Sequence, residues 1–196
     1  MIPERQHQMF QDGRVLGAFS RVTTDETLRL FPRSATGLRL LLVNASIRTW
    51  SWPNIAPLGQ EFVASSAWQD GHDVRVLDLN AEREQPVEEN TRFWAWAERR
   101  LQWAIDNHRP DVIGFSGIIS QYSQIRRLIR FTRACLPQAT IVLGGGIASC
   151  LPRFMAERLP VDVVVCEEGE VTFSEVLHRL EERATLVGCK GTVVKL

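Results

Sequence analysis

Residues 111–120 read DVIGFSGIIS and residues 140–149 read TIVLGGGIAS. Each holds a short apolar run, Val112-Ile113-Gly114-Phe115 and Ile141-Val142-Leu143, that breaks into small residues, Ser116-Gly117 and Gly144-Gly145-Gly146. Runs of this kind, without polar alternation, are the mark of parallel strands covered on both faces. Between them Ile125, Leu128, Ile129, Thr132 and Leu136 recur at helical spacing, opposite an outward row of Arg126, Arg127, Arg130 and Arg133, until Pro137 stops the pattern. Strand, amphipathic helix and strand make a βαβ unit. Ligands of open α/β sheets lie just outside the carboxyl ends of such strands, so the small residues after each run are the first candidates for chemistry. They either turn the chain tightly into the next helix or let a ligand press on bare backbone.

The same alternation extends in both directions. Residues 38–44 form an apolar strand, and Pro57 opens a helix that closes at Asp70-Gly71. Residues 72–80 give a second strand, followed by a helix over about 91–108 with Phe93, Ala97, Leu101, Ala104 and Ile105 on one face. Trp94, Trp96 and Trp103 widen that face, as core packing or as a docking surface. Beyond residue 143 the sequence predicts a short helix using Leu151, Phe154, Met155 and Leu159, then a strand over 161–166. A last helix carries Phe173, Val176, Leu177 and Leu180, and residues 192–194 make a sixth, edge-like strand. Five β-α repeats argue a flavodoxin-like (Rossmann-like), doubly wound parallel sheet with strand order 2-1-3-4-5. Residues 1–37 are polar and interrupted and read as an N-terminal extension, with a turn at Asp12-Gly13 and either one short helix capped by Thr23 and Glu26 or a partly ordered arm. Residues 38–196 form the domain.

Composition narrows the function classes. The chain carries 23 basic and 23 acidic residues, so no overall field draws it to nucleic acid or to an anionic membrane. No apolar run approaches the length of a membrane span, and Met1-Ile2-Pro3-Glu4-Arg5 lacks a signal-peptide core. Cys135, Cys150, Cys166 and Cys189 show no CxxC spacing, which suits reduced thiols and a cytoplasmic location.

Each flavodoxin-like class demands particular residues at the strand ends. A phosphoacceptor domain needs paired acids after strand one, an Asp ending strand three and a Lys ending strand five; here those ends are Asn44, Ser116 and Glu167. A flavin phosphate needs a glycine-rich loop after strand one, but residues 45–56 (ASIRTWSWPNIA) contain no glycine. Gly144-Gly145-Gly146 follows strand four, the wrong strand for a dinucleotide fingerprint, and lacks the third glycine of that motif. His7, His72, His108 and His178 are scattered, with no metal-ligand spacing; His108 and His178 read as surface or helix-end residues.

Taken together, Pro57-Leu58-Gly59, Gly71-His72-Asp73-Val74, Leu77-Asp78, Pro110-Asp111-Val112-Ile113-Gly114-Phe115-Ser116, Ile141-Val142-Leu143-Gly144-Gly145, Asp162-Val163-Val164 and Glu168-Gly169-Glu170 resemble, in order and spacing, the cobalamin-binding domain of B12-dependent radical SAM enzymes. The resemblance covers residues 38 to about 195. It implies that Ser116-Gly117-Ile118, matching a Ser-x-Leu element, and Gly144-Gly145 accommodate the dimethylbenzimidazole nucleotide tail, with the Ser116 hydroxyl donating to the base. Ser46, Leu58, Gly59, Ser120, Gly146, Glu168 and Gly169 join them as candidate cofactor-binding residues. Helix N-terminus stabilisation is the other reading of Glu168 and Glu170.

Two departures shape the expected chemistry. The DxHxxG loop of histidine-ligating cobalamin domains is here Asn44-Ala45-Ser46-Ile47-Arg48-Thr49-Trp50, without histidine. The resemblance therefore implies base-off cobalamin with no protein ligand to cobalt, its lower face covered by Arg48, Trp50 or another loop residue. The Gly-Glu-Gly-Glu of the fifth loop is Glu167-Glu168-Gly169-Glu170. A radical SAM iron-sulfur cluster needs a CxxxCxxC loop, and the cysteines here are at least 15 residues apart, so none is expected in this chain. The expected role is to present cobalamin, for methyl transfer, to a radical SAM domain or subunit, either in trans or in an untruncated parent; the chain is not catalytically complete alone. The rival expectations are a stand-alone corrinoid carrier or sensor and a cobalamin-free interaction module.

Overall fold

A computed structural model describes residues 37–47, 57–81 and 90–195. The elements in chain order are β1 (Arg39–Asn44), α1 (Leu58–Gln69), β2 (Asp73–Asp78), α2 (Asn90–His108), β3 (Val112–Ser116), α3 (Tyr122–Cys135), β4 (Thr140–Gly144), α4 (Gly145–Cys150), α5 (Pro152–Arg158), β5 (Val163–Val165), α6 (Gly169–Glu181) and β6 (Thr192–Val194), with a 3-10 turn at Ile119–Gln121. They build one six-stranded sheet in the order β2-β1-β3-β4-β5-β6. The first five strands are parallel and β6 runs antiparallel beside β5. The expected flavodoxin-like order and the sixth edge strand are thus both present. The turn and short helix expected within residues 1–36 lie outside the described residues, as do Arg48 and Trp50.

Strand side chains alternate between faces, and the core divides accordingly. Leu41, Val43, Leu77, Ile113 and Phe115 pack beneath α2, α3, α4 and α5, with Phe93, Leu101, Ile125 and Leu128. Leu40, Leu42, Val74, Val112, Val142 and Val163 pack on the other face beneath α1 and α6, with Ala64, Ala67, Phe173 and Leu177. Trp94 and Trp96 lie partly buried against Phe93, as core packing, whereas Trp103 is exposed with the Arg100 guanidinium 4.7 Å over its ring.

Two expectations are corrected. The segment after β4 is two helices: Leu151 takes an extended φ of −141° before Pro152, because a proline disfavours helical backbone in the residue before it. Met155 and Leu159 are buried as expected, but Leu151 at the break and Phe154 in α5 are 48% and 41% exposed. Of the four arginines on α3, Arg133 is only partly exposed and its guanidinium is bound back to the protein. It donates to the carbonyls of Pro137, Ala139 and Pro160 and pairs with Asp162 at 2.6 Å.

Asp162 also accepts the Ile141 N–H at 2.7 Å. Asp111 does the same one pair of strands away, accepting the Arg39 N–H at 2.9 Å and holding the Arg39 guanidinium at 2.8 and 3.0 Å. That hydrogen-bonded guanidinium keeps the Asp111 carboxyl below its usual range. In each case a carboxylate just before one strand grips the first residues of its neighbour.

His108 ends α2, as expected, with its side chain largely covered and Nε2 3.0 Å from the Leu40 carbonyl, so that nitrogen carries the proton. Burial holds this imidazole below its ordinary pKa, against the charge of Asp73 and with that of Arg75. The sign follows directly. With the folded pKa below the unfolded one, the unfolded chain takes up the proton first, so stability is full above about pH 6.5 and falls as the pH drops below it. Urea unfolding at pH 7.5 and 5.5 should show this loss, at most about 1.4 kcal/mol per pH unit for one proton. His108→Gln keeps a donor to Leu40 and should flatten that part of the dependence.

Candidate functional site

The register levels the carboxyl ends of the strands: Asn44 pairs with Asp78 on one side and Ser116 on the other, and Ser116 with Gly144. Two buried amides hold the loops that leave this edge. Asn80 accepts the Ile47 N–H at 2.9 Å and donates to the Ala45 carbonyl at 3.3 Å. Gln121, 3% exposed, donates to the same carbonyl at 2.7 Å and accepts the Ile118 N–H at 2.7 Å, tying the loop after β1 to the loop after β3.

Beside them a crevice of about 240 Å³ opens between β1, β3, β4 and β5 and the starts of α1 and α6. Leu42, Val142, Val165 and Phe173 make it apolar, and Gly59, Gln60, Ser116, Gly144, Glu168 and Gly169 line it with Glu167 and Glu170. Gly114 lowers its floor. A Cβ there would stand 2.7 Å from the Leu42 side chain, which occupies the space instead.

The remaining glycines answer the question of turn or ligand space one by one. A Cβ on Gly59 or Gly144 would meet nothing within 4 Å, so these two leave the crevice open. Gly145 belongs to the turn: its φ is +77°, and a Cβ would lie 2.5 Å from Ser116 Oγ and 3.0 Å from the Gly117 carbonyl. Gly117 makes room for the Gln121 amide and Ile125, each under 3 Å from its would-be Cβ. Gly169 lets α6 approach Val63 of α1.

Six of the fourteen candidate residues therefore share one crevice: Gly59, Ser116, Gly144, Gly145, Glu168 and Gly169. Gly117, Ile118 and Gly146 adjoin it in the turns, where the Ile147 N–H donates to the Gly117 carbonyl. Leu58 and Ser120 are exposed and Ser46 is fully buried, none of them lining the crevice. Arg48 and Trp50 lie outside the described residues. Sequence reasoning missed Gln60, Gly114 and Gln121. A glutamine in a helical pattern carries no sign of burial, and Gly114 sits inside a strand rather than after it.

Glu167, Glu168 and Glu170 give the crevice mouth carboxylates, and among the described residues none that lines it is basic. Glu168 precedes α6 without a side-chain cap bond, and the Glu167 N–H is taken by Ser149 Oγ at 2.7 Å. Burial, with the charge of Glu167, pushes the Cys166 thiol up, so it offers no thiolate at neutral pH. Of the described histidines, His72 precedes β2 and accepts the Leu38 N–H, His108 contacts Leu40, and His178 is in the last turns of α6; none lines the crevice. Among the described residues no three potential ligands gather as a metal site, and no helix is long and apolar enough to cross a membrane.

Fold and site define a flavodoxin-like α/β domain whose binding crevice lies at the carboxyl edge of the sheet. The chain belongs to the B12 binding domain family, which matches residues 53–177. It is 29% identical over 123 residues to cytidylyl-2-hydroxyethylphosphonate methyltransferase of Streptomyces wedmorensis, covering 60% of this chain and 23% of that protein. To hopanoid C-3 methylase of Methylococcus capsulatus it is 28% identical over 142 residues, covering 71% and 25%. The radical S-adenosylmethionine methyltransferase TsrM of Kitasatospora setae, solved with cobalamin and a [4Fe-4S] cluster, shares the fold with a TM-score of 0.68 and 21% identity over 82% of this chain and 28% of TsrM. The chain spans about a quarter of the length of these curated relatives.

Proposed function

We propose that the domain binds cobalamin base-off, places the nucleotide tail in the crevice between β1, β3, β4 and β5, and presents the corrin to a radical SAM domain or subunit for methyl transfer. The open space at Gly144, above an apolar floor, carries this reading. Pockets for whole drug-sized ligands run from about 300 to 1,000 Å³. A crevice of about 240 Å³ therefore takes part of a large cofactor and leaves the rest outside. A neutral base suits the acidic, otherwise apolar lining, while an anionic phosphate belongs outside it.

Within this reading Gly144 and Gly59 leave room for the base, Ser116 supplies a hydroxyl donor, and Gln121 and Asn80 fix the loops on which the ring rests. Arg48 and Trp50 are proposed to cover the lower face; a protonated guanidinium has no lone pair to give and an indole N–H only donates. Cobalamin, when bound, supplies a carrier for the methyl group and a redox-active metal. In the TsrM structure cobalamin accompanies a [4Fe-4S] cluster, and the chain length of the relatives leaves space for such a partner domain.

The test is reconstitution. Hydroxocobalamin should bind about one to one, and electron paramagnetic resonance of the Co(II) form should show base-off cobalt without nitrogen superhyperfine splitting. A nitrogen-split signal would refute base-off binding without a protein ligand, and failure to bind would remove the cofactor assignment.

A further inference from the structure

Gln60 stands out among the residues that line the crevice because its side-chain amide is half used. It lies in the first turn of α1, is 6% exposed, and donates from Nε2 to the Val43 carbonyl at 2.8 Å. Its Oε1 is buried and has no hydrogen-bond partner. Chemistry fixes which end is which, since turning the amide over would set two acceptor oxygens against each other. A buried acceptor left unmade is costly, and such a group calls for a partner, a water or a group of the ligand.

We propose that Gln60 is the contact that reads the ribose of the cofactor tail, its Oε1 accepting a hydrogen bond from a ribose hydroxyl. The inference rests on the cobalamin reading and narrows it. Oε1 only accepts, so its partner must be an N–H or O–H donor. The tail base, substituted on one ring nitrogen and bare on the other, has no N–H; the donors nearest to it are the ribose hydroxyls. Ser116, whose hydroxyl can donate, remains for the bare ring nitrogen. Gln60 and Ser116 both line the crevice, and the Gln60 amide is held in place by the carbonyl of Val43, a residue of the central sheet.

The test compares wild type with Gln60→Met, which keeps the length of the side chain and removes both polar atoms. Each is titrated with hydroxocobalamin and with cobinamide, which has the corrin ring but neither ribose nor base. Losing one hydrogen bond should weaken cobalamin about two- to twelvefold and leave cobinamide unaffected. Equal weakening of both corrinoids, or unchanged cobalamin affinity in a folded variant, overturns the proposal. Should Gln60→Met not fold, the assigned Gln60 side-chain amide of the wild type serves as the probe by nuclear magnetic resonance. A shift with hydroxocobalamin and none with cobinamide supports the contact; no shift with either, or the same shift with both, overturns it. Failure of the wild type to take up hydroxocobalamin sinks the cofactor reading instead.

Discussion

Gly144→Leu is expected to fold as the parent does and to bind cobalamin about five- to 150-fold more weakly, the equivalent of about 1–3 kcal/mol of overpacking. Backbone at Gly144 is extended, with φ of −130°, which any residue adopts, and its Cβ direction is open for at least 4 Å. A leucine there fills the crevice without disturbing the sheet. The neighbouring residue is the control. Gly145→Leu forces a side chain onto a φ of +77° and into Ser116 Oγ and the Gly117 backbone, so it should lose about 2–4 kcal/mol of stability before binding is considered. Urea unfolding and a hydroxocobalamin titration on both variants separate the two roles. Equal loss of stability in both would show that Gly144 also serves the turn, and tight cobalamin binding by folded Gly144→Leu would place the tail elsewhere.

Gln121→Leu should cost about 1–3 kcal/mol of folding stability, since it strands the part-buried Ile118 N–H and leaves the Ala45 carbonyl only the longer bond from Asn80. The loops after β1 and β3 lose their common anchor. Hydrogen exchange should rise at the Ile118 N–H specifically, while the core amides of Ile113 and Phe115 follow only the global loss. A variant as stable as wild type, or exchange that rises evenly across the sheet, would count against the anchoring role.

Most of the fold was legible because its signals are local. Apolar runs such as Val112-Ile113 and Ile141-Val142-Leu143 announce covered parallel strands, and Pro57, Gly71 and Pro137 mark helix limits through their own backbone chemistry. Leu151 and Phe154 misled because apolar residues spaced for one helix straddle a break set by Pro152. The site was half legible. A triple glycine after a strand reads as small, yet only three-dimensional neighbours distinguish Gly144, which faces space, from Gly145, which faces Ser116. Gln60, Gln121 and Arg133 were opaque for a related reason: polar residues in a helix or the turn that leads into one look solvated until a partner from a distant strand or loop claims them.

The carboxylate clamps at the amino ends of the strands have a consequence for how this domain could be altered. Asp111 on Arg39 and Asp162 on Arg133 and Ile141 fix strand registry at the edge of the sheet remote from the crevice. Alignment of the strands is thus held at the amino edge as well as by the Asn44–Asp78 bond at the carboxyl edge. The connections after β1 and β3 can be exchanged or lengthened without asking the sheet to find its alignment again, provided that the Asn80 and Gln121 anchors are kept. Grafting experiments on this scaffold should tolerate new segments at the ligand edge far better than a single charge reversal at Asp162.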